Sequence, residues 1–135
     1  PRHDDVGAAA ARDQAACFTE DAEWSAGRFG GALRGRGEIE AFFRRSPWLF
    51  TLHVYCNPTF VFADGVVDVG WRLIEIGVRE EDGRVMLLAG TVAQTCRPTA
   101  EGWRIAAMRF EALHAVDLAD RPERLCCLIP LGESP

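Results

Sequence analysis

The sequence predicts an α+β domain with helices gathered on one face of an antiparallel sheet. Four extended apolar runs, about Phe50 to Phe62, Val66 to Arg79, Val85 to Arg97 and Trp103 to Val116, fill the second half of the chain. Only short turn signals separate them. Antiparallel hairpins tolerate such short connections, whereas parallel neighbours need a crossover of roughly a dozen residues. Two helical patterns lie upstream, and 135 residues suit one domain that buries roughly two thirds of its unfolded surface.

The first helix is expected over about Asp4 to Phe18, a stretch rich in alanine, with Val6, Ala9, Ala10, Cys17 and Phe18 near one face. Asp4 and Asp5 at its start suit the positive end of the helix dipole. Glu23 to Ala26 and Phe29 to Leu33 read as a small hairpin punctuated by Gly27, Gly30 and Gly31. A second helix begins near Gly37, because Ile39, Phe42 and Phe43 fall at i, i+3 and i+4, and Pro47 ends it. The long runs follow. Ala63-Asp64-Gly65 joins the first pair as a strong hairpin signal, Glu81 to Arg84 joins the second to the third, and Pro98 to Gly102 joins the third to the fourth. From Asp117 the pattern breaks into a charged stretch and then an apolar patch, Leu125 to Leu131. The expected organisation is a domain over 1–116 and a tail over 117–135 that docks on the pocket or on a partner subunit.

Fifteen basic side chains face 20 acidic ones, and no basic run is present, so a nucleic-acid partner is not expected. A neutral small molecule suits this balance better. Five cysteines, Cys17, Cys56, Cys96, Cys126 and Cys127, follow no metal or redox spacing and point to free thiols in a reducing cytoplasm. No run approaches the roughly 20 apolar residues of a membrane span, and the first residues lack a signal-peptide layout. Because the chain does not open on methionine, residues preceding Pro1 are left open.

His53 is the first candidate for chemistry, since an imidazole can give and take protons near neutrality. Strand alternation places it with Thr51, Tyr55 and Asn57, a polar stripe that either lines a pocket or forms a wet outer face. A β-bulge would shift that alternation. Asp68 and Arg72 share a face of the next strand, where an ion pair is the ordinary explanation, and Trp71 on the opposite face reads as core. Trp24 carries an indole N–H that needs a partner if buried. Arg109 and Glu111 share a side of the last strand, with His114 near its end. Neither metal-ligand spacing, nor a glycine-rich phosphate loop, nor a nucleophile elbow is present, which argues against zinc hydrolysis, nucleotide binding and serine-hydrolase chemistry.

The segments CFTEDAEW from Cys17, GGALRGRGEIEAFFR, TLHVYCNPTFVFADGVVDV and GWRIAAMRFE, in that order and spacing, resemble the SnoaL-like branch of the nuclear transport factor 2-like superfamily. This resemblance implies a cone-shaped α+β barrel, in which a strongly curved antiparallel sheet wraps around N-terminal helices and leaves a mostly apolar cavity. It also implies a homodimer through the sheet and proton transfer on small hydrophobic substrates without a cofactor, as in polyketide cyclases, scytalone dehydratase, ketosteroid isomerases and epoxide hydrolases.

Carried over residue by residue, His53 matches the histidine that follows the second helix in dehydratase-like members. Asp4, with Asp5 next, is the counterpart of their helix aspartate, and Trp24 falls near their pocket aromatic. Their second histidine would fall near Glu75 to Gly77, where this chain has no imidazole. The expectation is therefore a dehydratase, cyclase or isomerase acting on a small, hydrophobic, oxygenated substrate of the polyketide kind. His53, Asp4 and Asp5 would be catalytic, and Trp24, Tyr55, Trp71, Asp68, Arg72 and Arg109 would line the pocket. A binding or dimerisation module that lost the chemistry is one alternative. An epoxide hydrolase built on Asp68, Arg72 and Asp4 is another.

Overall fold

The structure is a computed structural model that describes residues 3–27 and 31–118, with side chains from residue 7 onward. Helix α1 (His3–Ala15) leads into β1 (Phe18–Ser25) and β2 (Ala32–Arg34). Helix α2 (Arg36–Arg44) follows, and then four long strands, β3 (Trp48–Ala63), β4 (Val66–Arg79), β5 (Val85–Thr99) and β6 (Gly102–Asp117). They form one six-stranded sheet in the order β2-β1-β6-β5-β4-β3. The tail over 119–135 lies outside the described residues.

Two corrections to the expected barrel follow from this topology. The sheet is mixed, because β1 runs parallel to β6 while every other neighbouring pair is antiparallel. The chain between β1 and β6 supplies the long connection that parallel pairing requires. The sheet is also open, with β2 and β3 at its edges, so the cone is a curved sheet and not a closed barrel.

Strand β1 is longer than the expected hairpin arm and starts at Phe18, where the helical reading ended. In α1 the buried residues are Ala11 and Ala15, spaced i and i+4, whereas Ala10 and Cys17 are exposed. Helix α2 matches expectation more closely. Ile39 is fully buried against Phe18 and Ala22, with Trp24, Phe43, Ile105 and Met108 around them. Gly35, at φ 82, makes the left-handed entry that glycine tolerates, and its N–H donates to Ala22 O at 2.7 Å. The Arg36 guanidinium then donates to Phe18 O at 2.7 and 3.0 Å, pinning α2 to β1.

Residues paired across neighbouring strands share a face, so the register sorts the sheet into two surfaces. Trp24 pairs with Met108, Met108 with Gln94, and Gln94 with Val69, which places the odd-numbered side chains of β4 on the side that α2 covers. The outer face carries Asp68, Gly70, Arg72 and Ile74.

Asp64 and Gly65, at φ 50 and 77, form the two-residue turn expected between β3 and β4. Farther along β3, Asn57 and Pro58 together stand against Trp71 alone, a bulge between Cys56 and Thr59. Asn57 accepts the left-handed φ of 50 that most residues resist. Pro58 has no N–H for the ladder and is tolerated at a bulged edge strand.

Candidate active site

The bulge decides which side chains of β3 share the face of the sheet on which α2 packs against β1. Before it, His53 and Tyr55 face inward, opposite Glu75 and Leu73; after it, Phe60 takes that face opposite Val69. Asn57, grouped with His53 by simple alternation, falls at the bulge itself. The rings form a ladder: His53 lies 6.0 Å from Tyr55, Tyr55 5.8 Å from Trp71, and Trp71 6.2 Å from Phe60, all edge-on. Such tilted aromatic contacts are favourable and hold the rings in place.

Glu75 is the residue that simple alternation along one strand missed. It is buried at 8% exposure, and its Oε2 lies 3.4 Å from Nε2 of His53, whose side chain is 37% exposed. Carboxylate and imidazole are therefore held together by the register of two neighbouring strands, with the imidazole on the more open side. Burial raises the Tyr55 phenol above its ordinary pKa, and the negative charge of Glu75 raises it further. Tyr55 thus stays protonated at neutral pH and can donate a hydrogen bond. Deeper along the same face, the Trp71 indole N–H donates to Gln94 Oε1 at 3.1 Å, and Gln94 Nε2 donates to Met108 Sδ at 3.7 Å. Gln94 satisfies the half-buried indole and was not anticipated.

Trp24 stands at the other end of this face, its ring 4.8 Å from Phe42 of α2. His53, Tyr55, Trp71 and Trp24 are therefore brought to one side of the sheet. Asp68, Arg72 and Arg109 are not. Asp68 accepts a 2.6 Å hydrogen bond from Thr95 Oγ1, Arg109 pairs with Glu111 at 2.8 Å, and Arg72 is exposed opposite Cys56. Asp68 and Arg72 are even-numbered positions of β4, and Arg109 shares their outer face through the ladder Gly70–Ala93–Arg109. Asp4 and Asp5 fall in the first turn of α1, but their side chains are outside the described ones.

A concavity of about 570 Å³ is lined by Thr59, Asp68, Thr95 and Arg109 of that outer face, and Trp24 and Gln94 also border it. Neither His53, Glu75, Tyr55 nor Trp71 lines it. Its charged side chains Glu23, Arg34, Asp68 and Arg109 each have a polar or charged partner. Among the described residues no three His, Cys, Asp or Glu side chains are grouped to hold a metal ion. No helix among them is long and apolar enough to cross a membrane.

The family model for the SnoaL-like domain matches residues 4–109. No curated protein sequence matches the chain. Among solved structures, hexachlorocyclohexane dehydrochlorinase LinA-type3 from Novosphingobium barchaimii is similar at 17% identity and a TM-score of 0.74, over 86% of this chain and 82% of that one. A protein provisionally named a scytalone dehydratase, from Novosphingobium aromaticivorans, is similar at 20% identity and a TM-score of 0.71, over 98% and 86%. ActVI-ORFA from Streptomyces coelicolor is similar at 17% identity and a TM-score of 0.65, over 79% and 85%. At these identities the likeness is one of fold, and reaction has to be argued from the site.

Proposed function

This chain belongs to the SnoaL-like domain family, and we propose that it is a cofactor-independent lyase or isomerase that uses acid–base chemistry on a small, hydrophobic, oxygenated substrate. The observation that carries the proposal is the His53 imidazole, half-exposed against buried Glu75 and beside a row of aromatic rings. A proton acceptor beside apolar rings is suited to taking a proton from the carbon of a small hydrophobic substrate that packs against those rings.

In an elimination, His53 takes the proton on the carbon next to the one bearing the leaving group. The electron pair of that C–H bond becomes the new double bond, and the leaving oxygen departs as water after taking up a proton. Tyr55, kept protonated, offers its hydroxyl to the developing negative charge on the substrate oxygen. Asp4, with Asp5 beside it, is proposed as the helix-borne carboxylate that passes the proton on. Trp24, Tyr55 and Trp71 shape the cavity. The structures similar in fold that are named as a dehydrochlorinase and a scytalone dehydratase lend this class support.

A homodimer through the outer face is part of the same proposal, because Phe50, Leu52, Val54 and Ile74 are all exposed there, an apolar grouping that favours association. The epoxide-hydrolase alternative loses Asp68 and Arg72, which face away from His53. The test is a panel of hydroxylated cyclic ketones and aromatic polyketide fragments, followed by the absorbance of the conjugated product and by ligand-induced stabilisation. Turnover is expected. Binding without turnover of any compound would instead favour the non-catalytic module.

A further inference from the structure

We propose that Glu75 is the positioning residue of His53, fixing its imidazole with the proton on Nε2 and leaving Nδ1 as the nitrogen that exchanges protons with substrate. The catalytic consequence rests on the function proposed above, but the arrangement can be tested without turnover.

The pair is built by the sheet and not by a flexible loop. His53 and Glu75 are directly opposite in the β3–β4 register, which fixes their Cβ atoms within a side chain's reach. Glu75 Oε2 lies 3.4 Å from Nε2. An ionised carboxylate only accepts hydrogen bonds, whereas a neutral imidazole donates from one nitrogen and accepts at the other. The nitrogen facing the carboxylate therefore carries the hydrogen, and the tautomer is set by the neighbour. Glu75 is buried, no described arginine forms an ion pair with it, and the chain contains no lysine. His53 is thus its charge partner among the described residues, and a buried carboxylate without one is costly.

Among those residues Glu75 and Tyr55 are the titratable groups that lie against the His53 ring, and Tyr55 is neutral at working pH. When Nδ1 takes a proton from substrate, the resulting imidazolium stands next to a fixed negative charge that was present from the start. That is the logic of the acidic member of a hydrolase triad, which orients the imidazole and stabilises its charged form without itself becoming protonated. Here the acid comes from the neighbouring strand.

The experiment is proton and nitrogen NMR of the full chain labelled with ¹⁵N-histidine, with His53 assigned by the loss of its signals in His53→Gln. An imidazole N–H shielded by a buried carboxylate exchanges slowly enough to be seen, whereas one facing water is lost to exchange. The wild type is expected to show a downfield N–H proton on Nε2 of His53. Glu75→Gln, which keeps an acceptor and removes the charge, should move that proton upfield. Glu75→Leu should abolish it.

A proton on Nδ1 in the wild type, no protected N–H at all, or an unchanged signal in Glu75→Leu would each overturn the proposal, and the first two need no variant to fold. The signal on Nε2 in a protein that turns over nothing would leave this proposal standing and remove the functional one. Turnover with the proton on Nδ1 would do the reverse.

Discussion

Ile39→Ala tests how α2 docks on β1. Ile39 is the fully buried anchor of α2, packed on Phe18 and Ala22. Its neighbours Phe42 and Phe43 carry the contacts to Trp24 and Phe18. Removing three buried carbons at about 0.8 kcal/mol each forfeits about 2.5 kcal/mol, and an uncollapsed cavity carries the loss into the range of about 2–5 kcal/mol. Alanine's better helix propensity returns only a few tenths of a kcal/mol. For 135 residues the unfolding entropy is roughly 0.28 kcal/mol/K, so a loss of about 2.5 kcal/mol corresponds to a fall in Tm of about 9 °C. Urea unfolding followed by far-ultraviolet circular dichroism gives the same quantity as a shift in midpoint at unchanged slope. Glu40→Ala is the control: it removes only the Glu40–Arg44 pair on the same helix, worth a few tenths of a kcal/mol. If Ile39→Ala shifts the midpoint no more than this control, α2 does not dock on β1 as described.

Gly90→Ala should destabilise the sheet by roughly 1–3 kcal/mol or more, because its Cβ would sit 2.4 Å from the Glu111 carbonyl oxygen and 2.8 Å from the Phe110 ring; a neutral melting temperature would refute that packing. Tyr55 is the sole tyrosine, so phenolate absorbance reports on it alone. Its midpoint should lie above the ordinary value near 10, and Glu75→Gln should bring it down by removing the smaller, electrostatic cause. Since the folded state holds that proton more tightly, this contribution to stability is fully present below about pH 10 and is lost as pH rises through the folded value. Arg72→Ala and Asp68→Asn, both on the outer face, should change turnover less than twofold in a steady-state assay; a loss of a hundredfold would return those residues to the mechanism.

The long strands were legible because each shows apolar runs bounded by Asp-Gly or Pro-containing turns, and α2 because Ile39, Phe42 and Phe43 keep helical spacing. Strand β1 was not. Its Phe18–Ala22 portion carries helix-tolerant residues, and only pairing with β6 across the chain makes it extended. The partner of His53 was hidden by one residue. Counted straight from the Asp64-Gly65 turn, His53 would stand opposite Ile76, on the same side as the outer-face residues. The Asn57-Pro58 bulge moves it opposite Glu75. The sequence signal was there in Asn-Pro within an apolar strand, a pair that cannot continue a regular ladder. Asp68, Arg72 and Arg109 were grouped with the pocket by residue type, but a charged side chain on a half-covered sheet more often marks the outer face.

The account stands most directly on the turnover of His53→Gln, measured as kcat/KM on the first substrate that the panel yields, alongside a melting curve to show the fold intact. Loss of a general acid–base group predicts a fall of about 10²- to 10⁴-fold in a variant that still folds, with its Tm lowered because Glu75 loses its charge partner. Turnover equal to that of the wild type would contradict the assignment of His53, and with it the site built around Glu75.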